Sequence, residues 1–147
     1  MAKKSKRKRL TDRLDDLCRE IVRIIYKDTC EICGNKVYGH NSHPCHIVAK
    51  GKGASWRRFD LLNIFLGCFK CHRWWHDNPL ESANWLEKKF PARVKYLEKY
   101  TNGKPCKITD SEMEELIIGI VVFICGIITG LLISIPIVYQ VFVKGEK

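Results

Sequence analysis

The chain has 147 residues, room for one modest domain plus an appendage, and its 26 Lys and Arg against 16 Asp and Glu give a formal charge of +10. Residues 1–110 hold 24 of those basic residues and 12 of the acidic ones. So basic a domain is expected to meet a polyanion, nucleic acid first and anionic lipid second. The eight cysteines follow an opening, MAKKSKRKRL, that is charge with no apolar signal core; this argues against a secreted disulfide scaffold and for metal ligation in a reducing cytosol.

In chain order, residues 1–9 read as a basic disordered arm, because KKSKRKR sets six positive charges in seven positions with nothing apolar to bury. From Leu10 to Lys27 the apolar Leu10, Leu14, Leu17, Ile21, Ile24 and Ile25 recur at three- and four-residue steps. That spacing predicts an amphipathic helix with Thr11 as N-cap and Cys18 as a packing residue. A stretch rich in turn formers follows, from Asp28 to Gly53. WRRFDLLNIFLG reads as a loop entering a short strand, and a helix is expected from about Phe69. Pro79 and Pro91 are placed to open two further helices. Residues 101–115 read as a linker that starts with the stop signal TNGKP.

The tail differs. Leu116 to Val143 is 28 residues without a formal charge, more than the ~20 needed to cross ~30 Å of hydrocarbon. The expectation is one transmembrane helix over 116–143 with a short tail at 144–147. Residues 1–115 would then be cytoplasmic in a single-pass membrane protein, since no N-terminal signal exists to translocate a basic, metal-folded domain.

Two Cys-x-x-Cys pairs carry the first chemistry. CEICG sets Cys30 and Cys33 around a tight turn that Gly34 allows to swing past an ion, and Cys68 and Cys71 form the second pair. Four thiolates close a tetrahedron, the usual structural zinc arrangement. Competing patterns fail: Cys30, Cys33 and His46 lack the fourth ligand of a Cys₂His₂ finger. CFKCH would attach haem only after export. The His-x-Glu of a zinc deaminase is missing.

A second constellation follows at once. His72 and His76 are four apart, so on a helix that starts at the second Cys pair they share a face and can hold a second metal apart from the cysteine site. His46, in CHI, and Asn63 complete the group. Between them KGKGASWRRF offers Lys50, Lys52, Arg57 and Arg58 to phosphates on a glycine-loosened loop.

CHI, then Asn63, then CFKCHRWWH resembles the HNH endonuclease superfamily, a ββα-metal core set in a Cys₄ treble clef. The longer run from CHIVAKG to ANWLEK is similar to the phage NinG (Rap) recombination proteins. The resemblance spans residues 10–100 and implies an α+β fold, a small zinc domain flanked by helices. It implies a metal-dependent DNA endonuclease, with phage recombination or DNA processing as its setting. By the same resemblance His46 is the general base that deprotonates water, Asn63 braces the loop that orients it, and His72 and His76 bind a catalytic divalent metal (Mg, Mn or Zn) beside the structural zinc. Many of these enzymes place Asp or His directly before the base, where this chain has Cys45. A thiolate there favours zinc over magnesium, and His43 can substitute if the strand bends at Pro44. The competing expectation is a non-catalytic zinc module that binds nucleic acid and tethers it to a membrane.

Overall fold

The computed structural model describes residues 4–51, 55–100 and 107–128, with the side chains of 127 and 128 left aside. It is a mixed α+β protein with six helices and one two-stranded sheet among the described residues. The helices are α1 (Lys6–Ile25), α2 (Trp56–Phe59), α3 (Phe69–Asp77), α4 (Pro79–Lys89), α5 (Pro91–Leu97) and α6 (Asp110–Ile128). Strands β1 (His43–His46) and β2 (Ile64–Gly67) pair antiparallel, with His43 opposite Gly67 and His46 opposite Ile64.

Helix α1 starts earlier than its apolar pattern implies. Ser5, rather than Thr11, is its N-cap, with Oγ accepting from the Lys8 amide at 3.3 Å, while the Thr11 hydroxyl donates to the Arg7 carbonyl. The basic stretch from Lys6 to Arg9 is therefore helical. The helix ends where Lys27 and Asp28 adopt positive φ (50° and 51°). There the Asp28 amide donates to the Arg23 carbonyl, and the Asp28 carboxylate pairs with the Arg23 guanidinium at 2.8 Å.

The core lies between α1, the sheet and α6. Leu14, Leu17, Cys18, Ile21 and Val22 of α1 pack with Ile64 and Leu66 of β2, Phe59, and Met113, Leu116 and Ile120 of α6. As expected, Cys18 is a packing residue, buried in this core, with its thiol donating to the Phe59 carbonyl at 3.8 Å. Strand alternation turns Cys45 and Phe65 to the opposite face, where they meet Trp75 and Leu86. Pro79 and Pro91 each open their helix. Arg93 of α5 fastens these helices to the sheet, donating to the carbonyls of Leu61, Leu62 and Ile64 and to the Tyr26 hydroxyl.

The membrane expectation is overturned. No helix among the described residues is long and apolar enough to cross a membrane. Helix α6 begins inside the acidic run, at Asp110, so residues 110–115 belong to a helix and not to a linker. Its positions Met113, Leu116 and Ile120, spaced three and four apart, are at most 1 % exposed against α1. Ion pairs fix the same seam: Arg7 with Asp110 at 2.5 Å and Lys6 with Glu114 at 2.9 Å. Absence of charge marks a segment as apolar; it does not say whether the apolar side chains face lipid or another helix. The single-pass topology, with the rest of the chain on the cytoplasmic side, loses its basis with the helix. Residues 101–106, 129–143 and the tail at 144–147 lie outside the described residues.

Candidate functional site

Cys30 and Cys33 sit on a knuckle whose backbone closes on itself. The Gly34 amide donates to the Cys30 carbonyl at 2.9 Å, and the Cys30 amide donates to the Asn35 carbonyl at 2.8 Å. Gly34 needs its φ of +74°, a conformation that L side chains resist. The knuckle is tied to the sheet by the Glu31 amide, which donates to the Leu66 carbonyl at 2.8 Å. One residue past β2, Cys68 is the N-cap of α3, accepting from the Cys71 amide at 3.4 Å.

The turn and the cap thus bring four thiols together. The sulfur atoms of Cys30, Cys33, Cys68 and Cys71 all lie within 4.8 Å of one another, and the group could hold a structural metal such as zinc. Its electrostatics suit a cation. Burial opposes the Cys30 thiolate, but the amides of Cys33, Cys68 and Ile32 outweigh it and bring that thiol down to about 7. Burial and the neighbouring Cys68 and Cys33 push the Cys71 thiol up. Four thiols this close cannot all ionise without a positive charge among them.

The same helix then turns its next residues into a cleft of about 490 Å³ that runs along β1. His43 and His46 of β1, His72, Trp75 and His76 of α3, Lys50 of the β1–β2 loop and Arg19 of α1 line it. His72 and His76 share a helix face, and their Nε2 atoms stand 3.1 Å apart. Burial, then the nearby His76, His43 and His46, holds the His72 imidazole below its ordinary range.

His46 is fixed from two sides. Its Nε2 lies 2.9 Å from the Arg58 carbonyl, which can only accept, so Nε2 carries the proton and Nδ1 keeps its lone pair. The indole N–H of Trp75 donates to the His46 carbonyl at 3.2 Å. Burial lowers the His46 pKa below 6.5 and Lys50 lowers it further; the Arg58 carbonyl and Asp15 act in the opposite sense.

Asn63 is fully buried and braces the loop between the strands. Its Nδ2 donates to the carbonyls of Val48 (2.8 Å) and Arg57 (2.7 Å), and its Oδ1 accepts from the Val48 amide at 2.7 Å. The residue after Arg57 supplies the carbonyl that holds His46. Asn63 thereby holds the backbone one residue before the carbonyl that receives the His46 Nε2–H.

Two expected residues are placed otherwise. Cys45 does not reach the cleft. It is completely buried among Phe65, Trp75 and Leu86, with Sγ 3.5 Å from the His43 carbonyl and in the space a Cβ on Gly67 would occupy, 2.6 Å away. Burial pushes its thiol up. Arg58 is not presented to phosphates: its Nε and NH2 grip Asp15 of α1 at 2.9 and 2.6 Å, and its side chain is 13 % exposed. The Arg57 guanidinium lies over Gly51 with its Nε buried and unpaired among the described residues, and Lys52 lies outside the described residues.

One charged cleft residue is missing from the sequence-derived set, Arg19, which helix periodicity could have placed opposite the core face of α1; His43, read from the sequence as a substitute for Cys45, does line the cleft. Comparison of the chain with known protein families, with curated proteins and with solved structures returned no match.

Proposed function

We propose that the protein is a metal-dependent DNA endonuclease of the HNH type, hydrolysing phosphodiester bonds in the cleft along β1. The observation that carries this reading is the pairing of a buried, singly oriented imidazole with a His72–His76 pair across one cleft. The antiparallel β1–β2 hairpin followed directly by α3 supports a ββα-metal core, and the thiol cluster at its base supports a treble-clef zinc site.

The donor set fits a divalent ion: two imidazole nitrogens 3.1 Å apart subtend roughly 100° at an ion about 2.05 Å from each. Bound there, the ion would offset charge on the scissile phosphate and the leaving oxygen. The protein groups do the remainder. With Nε2–H donated to the Arg58 carbonyl, the His46 Nδ1 accepts a proton from water as the water oxygen attacks phosphorus. The bond from phosphorus to one ester oxygen breaks, that oxygen takes up a proton from solvent water, and the proton on His46 returns to solvent. Trp75 and Asn63 hold the base in place, and Lys50 and Arg19 supply positive charge for the flanking phosphates.

A second reading, a zinc module that binds nucleic acid without cutting it, is favoured by one observation: Cys45, at a position where this superfamily places a metal ligand, faces the core. A nicking assay on supercoiled and branched DNA under Mg²⁺, Mn²⁺ and Zn²⁺ separates the two. The wild type should cut and His46→Ala should lose ~10²–10⁴ in rate while keeping its DNA affinity. Undiminished cutting by His46→Ala rules out the mechanism. Tight binding with no cutting by the wild type under any metal establishes the second reading.

A further inference from the structure

We infer that His43 is the third ligand of the metal in the cleft, completing a three-imidazole site with His72 and His76 in place of Cys45. This deepens the nuclease reading and rests on it only for the use made of the ion.

Strand register is the first support. Side chains two apart on a strand share a face, so His43 and Cys45 both point to the α3 side of the sheet, about 6.6 Å apart along β1. His43 is opposite Gly67, the last residue of β2, whereas Cys45 is opposite Phe65. Since Cys68 caps α3 immediately after Gly67, position 43 lies beside the first turns of α3 and position 45 lies deeper in the sheet.

Ring geometry is the second. The imidazoles of His43 and His72 stack with centroids 5.2 Å apart and planes 13° from parallel. His72 and His76 are 4.7 Å apart, edge to face. Phe69 covers another side of the His43 ring at 5.7 Å. All three imidazoles line the same cleft.

The third support is an unmet need. The His43 Nε2 is buried and has no hydrogen-bond partner among the described residues. Leaving such a nitrogen unsatisfied carries a desolvation cost, and an ion shared with the adjacent pair would remove it. Among the described residues only the four cysteines already have all their ligand atoms within 4.8 Å of one another. The three imidazoles would come together only with an adjustment of the His43 side chain, whose χ2 torsion is broad and soft. Cys45 has no comparable route, because leaving its place beside Gly67 would open the packing with Phe65 and Trp75.

Three neutral imidazoles select a borderline ion such as Zn²⁺, Co²⁺ or Ni²⁺ over hard Mg²⁺, which prefers oxygen. The test uses the full-length chain with one equivalent of zinc in the cysteine site, titrated calorimetrically with Co²⁺ while the visible spectrum is recorded. The wild type should take up one further equivalent whose spectrum lacks thiolate charge-transfer bands. His43→Ala and the more conservative His43→Asn should each weaken that step at least ~10–100-fold, the loss seen when even an outer-shell partner of a ligand is removed, and Cys45→Ser should leave it unchanged. Uptake of no second equivalent, unchanged uptake in both His43 variants, or loss of uptake in Cys45→Ser with thiolate bands in the wild type would each overturn the assignment. Plasmid nicking is scored in parallel. A second equivalent bound through His43 without cleavage keeps the site and rejects the nuclease. Cleavage retained by both His43 variants under Co²⁺ keeps the nuclease and rejects the site.

Discussion

Asn63→Ala isolates the brace of the loop that borders the cleft. Truncation strips partners from three half-buried backbone groups: the Val48 amide, the Val48 carbonyl and the Arg57 carbonyl, now bonded at 2.7, 2.8 and 2.7 Å. A fully buried polar group left unsatisfied costs ~1–3 kcal/mol, so ~3–9 kcal/mol is the bracket for three such groups and an upper one for these half-buried groups. Loop relaxation and entering water trim the upper part, and single substitutions rarely exceed ~4–5 kcal/mol; the expected loss is about 3–5 kcal/mol. With a urea slope of ~2 kcal/mol/M, the unfolding midpoint should fall by ~1.5–2.5 M. All variants are compared at one free zinc concentration, so that metal mass action is common to them. Asn63→Asp is the informative control. It keeps the volume and one acceptor but turns an oxygen toward two carbonyls, so it should cost at least as much as alanine. A loss under ~1 kcal/mol for both variants would refute the bracing role. A large loss for alanine with none for aspartate would mean that volume, and not hydrogen bonding, is what Asn63 supplies.

The remaining expectations concern the metal, the base, the cations and the tail. Cys30→Ser combined with Cys68→Ser should unfold the domain by circular dichroism, because a structural zinc of this kind contributes ~10–16 kcal/mol in small metal-folded units; a native spectrum and melting point would reject a structural role. In the proposed mechanism neutral His46 is the competent base, and burial lowers its pKa below 6.5, so nicking should persist above that depressed value and fall away as pH drops through it. The acid limb should have its midpoint below 6.5, and a midpoint above that would contradict the burial argument. Folding stability should change with the same sign, rising with pH between the depressed value and 6.5, where the unfolded chain binds more protons. Arg58→Ala should cost about 2 kcal/mol through its charge-assisted bonds to Asp15 yet leave the salt dependence of DNA binding unchanged. Lys50→Ala should instead lower the slope of log affinity against log salt by ~0.9. Leu116→Ala should destabilise the chain by ~2–5 kcal/mol in plain buffer, a loss that a lipid-facing leucine would not show.

What the sequence makes legible is whatever short spacing and side-chain chemistry determine together. A thiol pair around a tight turn, a second pair at a helix N-cap and two imidazoles one helical turn apart are each specified within ten residues. Their clustering follows once β2 delivers Cys68 to the knuckle. The illegible features depend on partners distant in the chain. Arg58 sits in a basic loop and reads as a phosphate ligand; its actual partner, Asp15, is 43 positions away on α1. The basic run at the N-terminus and the acidic run near residue 110 read as an arm and a linker, although each supplies the charge the other needs. Cys45 adjoins His46 and so reads as its companion. Strand alternation sends the two side chains to opposite faces, and only the register against β2 shows that the α3 face holds His43 as well.

This register also links folding to the chemistry proposed for the cleft. Cys68 caps α3 with its sulfur, and its carbonyl accepts from the His72 amide at 2.8 Å. The residue that would hold a structural metal therefore also starts the helix turn that carries the first imidazole. The Glu31 amide on the Leu66 carbonyl, with the Lys89 ammonium 3.0 Å from the Glu31 carboxylate, ties the knuckle to β2 and α4 at the same junction. A metal bound by the four thiols would fix where α3 starts beside β1 before any ion entered the cleft, and the Trp75 indole on the His46 carbonyl holds the middle of the same helix to that strand. A nine-residue helix such as α3 is too short to be stable by itself. Emptying the thiol site should thus abolish metal binding at the imidazoles, whereas emptying the imidazole site should leave the thiol site filled. The dependence runs one way because the cap precedes the helix that it organises.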